Sequence, residues 1–150
     1  MKHKFLPALL FALLLPPAVF ADNGIISIES NHTVADTAMR LEKIVHDKGM
    51  TIFARVDHGQ AAEKIGKGLR PTELLIFGNP KLGSVLMQCN QTVGIDLPQK
   101  ALIWQDRTGK TWISYNDPVW LAKRHNLIGC GSVVSKIKSA LHGFATEAAK

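Results

Sequence analysis

The sequence predicts an α+β domain in which helices cover one face of a mainly antiparallel sheet. Three stretches carry that expectation. The apolar run Leu74 to Phe77 stops abruptly at Gly78-Asn79-Pro80. Lys100 to Gln105 and Thr111 to Tyr115 then alternate on either side of Asp106-Arg107-Thr108-Gly109-Lys110 and read as a hairpin, with Gly109 available for a positive φ. Around this unit lie segments whose apolar residues recur at helical spacing.

In chain order, the first residues read as a targeting segment. Lys2 and Lys4 precede an apolar stretch from Phe5 to Phe20, and Val19-Phe20-Ala21 suits a signal peptidase. Cleavage after Ala21 is expected, leaving 150 − 21 = 129 residues, Asp22 to Lys150, as one domain. A permanent anchor is disfavoured, because the apolar run falls short of the roughly 20 residues a spanning helix needs. The expected location is therefore the periplasm or the exterior, with no stable membrane insertion after cleavage.

Ile25 to Glu29 is short and β-branched and predicts a strand. Thr33 and Asp36 form a weak capping box before a helix whose apolar face is Val34, Ala38, Leu41, Ile44 and Val45, ended by Gly49. Met50 to Asp57 alternates, with Met50, Ile52, Ala54 and Val56 on one side and Thr51, Phe53, Arg55 and Asp57 on the other. Gly59 to Leu69 suggests a short helix weakened by glycines. Leu74 to Phe77 is apolar on both faces, which places it centrally in the sheet. Asn79 caps and Pro80 opens a helix that presents Leu82, Val85, Leu86 and Cys89, with Gly94 at its end and Ile95 to Pro98 extended. After the hairpin, Asp117-Pro118 starts a short helix running to about His125. Ser132 is expected to cap the last helix, with Val133, Ile137, Ala140, Leu141 and Phe144 as its buried stripe.

Four motifs occur in order: Asp57-His58-Gly59-Gln60-Ala61-Ala62, then Leu74 to Gly83 (LLIFGNPKLG), Gly94 to Pro98 (GIDLP) and Trp112 to Pro118 (WISYNDP). Together they resemble the domain-of-unknown-function 302 family, in particular its exported bacterial members, over roughly Thr51 to Leu127. The resemblance implies a two-layer sandwich of the β-α-β(4)-α kind and a homodimer, and it supplies no reaction. Gln99 departs from the family, which often has a second apolar residue after the proline.

The chemistry-bearing residues are few. The mature chain would carry 16 − 12 = +4, with its basic residues scattered, so a nucleic-acid site is not expected. No Cys or His spacing suits a metal, no serine lies in a nucleophile elbow and no phosphate-loop spacing occurs, so neither a cofactor nor a catalytic set is named. Cys89 and Cys130 are the 2 cysteines. An oxidising compartment favours a bridge between them; the apolar helix face around Cys89 suits a free thiol equally well. Asp57, His58, Asn79 and Lys81 follow strand ends and form the expected site for a small molecule or anion. There the helix start at Pro80 and the Lys81 ammonium would attract negative charge and His58 would add a pH-dependent donor. That site requires the two corners to share one edge of the sheet. The alternatives are structural turns and a cap from Asp57, an enzyme using His58 as acid or base, and a homodimeric assembly module. Cross-strand packing is expected of Trp104, Trp112 and Tyr115, a helix C-terminus for His125, and caps for Asp96 and Asp117. The apolar sheet interior, lacking a polar handle, is not expected to hold a site.

Overall fold

The computed structural model describes residues 23–150; the expected leader lies outside them. Eleven elements follow in order: β1 (Ile25–Ser30), α1 (Val34–Asp47), β2 (Thr51–Asp57), α2 (His58–Glu63), β3 (Thr72–Gly78), α3 (Pro80–Cys89), a 3-10 turn (Gln91–Ile95), β4 (Gln99–Gln105), β5 (Thr111–Asn116), α4 (Pro118–Arg124) and α5 (Gly131–Ala149). The strands form one antiparallel sheet in the order β1-β5-β4-β3-β2. The expected α+β class holds.

Local chemistry fixes most element ends. Thr33 Oγ1 accepts the Asp36 N–H at 3.1 Å and donates to its carboxylate at 2.7 Å, which starts α1. Gly49 ends it with φ 71°. Asn79 and Asp117 each accept a backbone N–H beside a first-turn proline and so start α3 and α4. Gly109 turns the β4–β5 hairpin at φ 87°. Asp106 holds that loop by accepting from Trp112 Nε1 and from the Thr108 and Lys110 amides.

The helix side of the sheet is mainly apolar. Leu75, Phe77, Ala101, Ile103, Ile113 and Tyr115 meet Leu41 and Val45 of α1 and Ile137 and Leu141 of α5. Each buried Leu, Ile, Val or Phe among them contributes about 1.5–3 kcal/mol. All of these elements lie within residues 23–150, so this stretch closes its own core.

Four expectations change in detail. First, β3 lies between β4 and β2, as its apolar character required, but only Glu73, Leu75 and Phe77 are buried, while Leu74 and Ile76 stand half-buried on the other face. Second, β2 does not alternate cleanly. Its register with β3 shifts between Ile52 and Ala54, so Ile52 packs on the helix-side core while Ala54 and Val56 pair with Ile76 and Leu74 on the open side. Arg55 consequently lies on the helix side, donating to Glu73 at 2.6 Å and Glu42 at 2.9 Å.

Third, α3 ends at Cys89 rather than near Gly94, and Leu86 is its one fully buried residue; Val85 is exposed. Fourth, Ser132 lies inside α5. The N-cap position is Cys130, which makes no side-chain capping bond and is bonded to Cys89 instead. The α5 stripe is shifted by one residue at its start and includes Val134, Ile137, Leu141, Ala145 and Ala148, with Val133 and Phe144 only partly covered.

Two outcomes are predicted. The bridge closes a loop with a sequence separation of 41, which in the chain-entropy account stabilises by about 4 kcal/mol. Reduction, or Cys89→Ala with Cys130→Ala, should lower the urea-derived stability by that order; an unchanged midpoint would contradict it. The hydrogen bond from Trp112, followed by that from Thr108, holds the Asp106 carboxyl well below the usual carboxylate range. A depressed folded-state value means that its contribution is present above the unfolded value near pH 4 and lost as pH falls toward the folded one. Asp106→Asn should therefore flatten the acid limb of the stability profile; identical acid limbs in both proteins would count against this.

Candidate functional site

The antiparallel pairing of β2 with β3 decides the fate of the four-residue site. Asp57 pairs with Glu73 at the start of β3, whereas Asn79 follows its end at Gly78. At about 3.3 Å per residue, Glu73 and Gly78 are separated by roughly 17 Å. Asp57 and His58 thus lie at one end of the sheet, and Asn79 and Lys81 at the other. Asp57 caps α2 by accepting the Gln60 N–H at 2.8 Å, and His58 is exposed at the first position of that helix. Asp57 thus acts as a helix cap.

The Asn79 corner lines a mainly apolar cavity of about 350 Å³. Asn79 Oδ1 accepts the Lys81 N–H at 3.0 Å and Pro80 fixes the first turn of α3, which follows β3 directly. The floor is Phe77 with Phe144 of α5, their ring centroids 6.4 Å apart. Leu82, Gly83 and Met87 of α3 form one wall and Ile137, Ala140 and Leu141 of α5 the other. Leu97 and Pro98, joined by a cis peptide bond, close the third side, and Phe53 at the β2 register shift stands at the fourth.

No Asp, Glu, Lys, Arg or His lines this space. Its polar groups are neutral: Asn79, Ser84 and Gln99. Ser84 Oγ donates to the Pro80 carbonyl at 2.8 Å. Lys81 is exposed and outside the lining. The site suits an uncharged, largely apolar molecule, and the departure at Gln99 supplies one of its few hydrogen-bonding groups. The apolar helix–sheet interface thus holds the space that its residue types gave no reason to expect.

At the Asp57 end lies a wide groove lined by His32, Thr33, Asp57, Gln60, Glu63 and Lys67, among others. His58 is not part of it. A third polar cluster sits behind the 3-10 turn. His125 is 7% exposed, at the C-cap of α4. Its Nε2 meets the Asp96 carboxylate, and its Nδ1 lies 3.0 Å from Thr92 Oγ1. Thr92 donates to Asn90 Oδ1 at 2.9 Å, and Asn90 Nδ2 donates to the His125 carbonyl at 2.7 Å. Lys100 donates to the carbonyls of Asp96 and Pro98. This network fastens the turn that leads into the cavity's third side. His125 is distant in sequence from Asn90, Thr92, Asp96 and Lys100, and only the turn at Asp96 and the helix end at His125 are visible there. Trp104 and Trp112 are cross-strand partners, as expected, but their indoles face away from Tyr115. Tyr115 lies on the helix side, where burial, then the Asp117 carboxylate, raises its phenol above the ordinary value.

Comparison with known proteins bears on the fold and the family. A crystal structure of an uncharacterised conserved DUF302 protein from Bacillus stearothermophilus superposes with a TM-score of 0.75 at 20% identity, covering 84% of this chain and 98% of that one. Proteins named fluoride-specific ion channel FluC 1 from Brucella suis biovar 1 (strain 1330) and Brucella abortus biovar 1 (strain 9-941) are each 50% identical over 131 residues, 87% of this chain. The chain spans about half the length of these relatives, 51% and 48% respectively. The sequence profile described as "Domain of unknown function DUF302" matches residues 26–144. The chain therefore belongs to the DUF302 family.

Proposed function

We propose that this protein is a non-enzymatic binding protein for a small, uncharged, mainly apolar molecule held at the end of the sheet between α3 and α5. The carrying observation is the cavity of about 350 Å³ with no ionisable side chain in its lining. An apolar cavity of about 150 Å³ is already enough to take up benzene. The pocket opens to solvent beside the exposed side chains of Phe53 and Met87, so an apolar occupant would displace water from an apolar lining. An anion is disfavoured, since Lys81 stands outside the lining.

The proposed setting is the periplasm or the exterior. The N-terminal segment from Met1 to Ala21 and the bridge between Cys89 and Cys130 support it. A homodimer is proposed as well. Its support is the sheet face away from the helices, where Leu74, Ile76, Leu102, Trp104 and Trp112 stand half-buried and outside the helix-side core. A second copy of the same face offers apolar cover to β3, β4 and β5, the strands that carry these residues. The channel activity in the relatives' names we assign to the half that this chain does not span. Spanning structures are long apolar helices or closed barrels. None of the described helices is long and apolar enough to cross a membrane, and this sheet is open at β1 and β2.

Two experiments test these proposals. An environment-sensitive apolar dye should bind with its emission shifted to the blue, and Ala140→Trp, which fills the cavity from α5, should weaken that binding at least about tenfold while leaving the circular dichroism unchanged. Equal dye binding by both proteins would move the site elsewhere. Native mass spectrometry of protein exported by its own cell should give a dimer of chains starting at Asp22; a monomer, or a chain retaining Met1, would remove the corresponding proposal.

A further inference from the structure

We infer that the mouth of the cavity docks on an anionic lipid surface. The proposed function concerns what the cavity holds; this inference concerns its rim and stands or falls separately.

The rim is apolar and exposed. Phe53 and Met87 line the cavity, yet they are 52% and 37% exposed, and Ile95 of the neighbouring 3-10 turn is 76% exposed. These residues are contiguous. A β-carbon at Gly94 would meet Met87 Sδ at 3.3 Å, so Met87 lies against the turn that carries Ile95. A β-carbon at Gly78 would meet Pro98 at 3.5 Å and the Phe53 ring at 3.9 Å, so Phe53 lies beside Gly78, on the side where Pro98 of the connector after the turn also stands.

Charge around the rim is one-sided. The residues next in sequence to the lining include four lysines (81, 100, 136 and 138) and one carboxylate, Asp96. That carboxylate is already engaged with His125 and Arg124. Lys100 is engaged with the carbonyls of Asp96 and Pro98. The other three lysines are exposed and belong to none of the ion pairs among the described residues.

An exposed apolar rim flanked by unpaired lysines is complementary to a surface with anionic headgroups over an apolar interior. The apolar side chains enter the acyl boundary and the ammonium groups meet the headgroups. The same surface offers the cavity a dry route for an apolar molecule, which dissolves poorly in the water outside.

The test uses residues 22–150 and sedimentation with vesicles of phosphatidylcholine alone or mixed with phosphatidylglycerol. The wild type should sediment with the mixed vesicles and stay in solution with phosphatidylcholine alone. Lys81→Glu and Ile95→Asp, neither of which lines the cavity, should each weaken binding to the mixed vesicles at least about fivefold. Apolar dye uptake in vesicle-free solution reads the cavity and the fold independently, and both variants should keep it. Failure of the wild type to sediment with the mixed vesicles, or sedimentation of both variants equal to wild type, would overturn the inference. Loss of dye uptake in the wild type with vesicle binding intact would overturn the cavity proposal alone.

Discussion

The site depends on how α3 meets the sheet. A helix laid along a sheet face buries a stripe of residues; α3 buries Leu86 and leaves Leu82 and Cys89 only partly covered. Its direction is set at the first turn by Asn79 and Pro80, and its far end by the bond from Cys89 to Cys130 at the start of α5. α3 is held at both ends, and the cavity lies between it and Phe77. The 3-10 turn and the cis Leu97-Pro98 step then form its remaining side, and the His125–Asp96 network keeps that turn in place. The chain thus supports an incompletely packed corner with a covalent bond and a buried polar network, while the other end of the helix layer is sealed by α1 against Leu75 and Ile103.

Much of this was legible because its causes are local. Caps at Thr33, Asn79 and Asp117 act within three residues, the hairpin announces itself by alternation around Gly109, and the α1 stripe repeats at helical spacing. The class of fold follows from the order of such signals. Details that depend on a partner strand or helix were not legible. Alternation in β2 gave no sign of the shift between Ile52 and Ala54, because a register exists only between two strands. Ser132 resembles a cap in isolation, but the N-cap of α5 is Cys130, two residues earlier, a position set by its bond to Cys89 on another helix.

The site itself was half legible, for the same reason. Corners after β2 and β3 were both marked by their residues, and Asn79 does stand at the cavity. Whether the corners meet depends on strand direction, which single-strand patterns do not encode; antiparallel pairing sends Asp57 and His58 to the opposite end. A cavity is an absence of packing, and Leu82, Met87, Leu141 and Phe144 look like ordinary core residues until their partners are found missing.

The central claim is that this corner is a built, apolar, accessible space rather than loose packing. A crystal of residues 22–150 equilibrated under xenon tests it most directly, because xenon marks apolar cavities without forming hydrogen bonds. The account predicts xenon density between Phe77, Leu97 and Phe144, with α3 unmoved. An unoccupied corner, with Leu82 and Met87 collapsed onto Phe77, would contradict it.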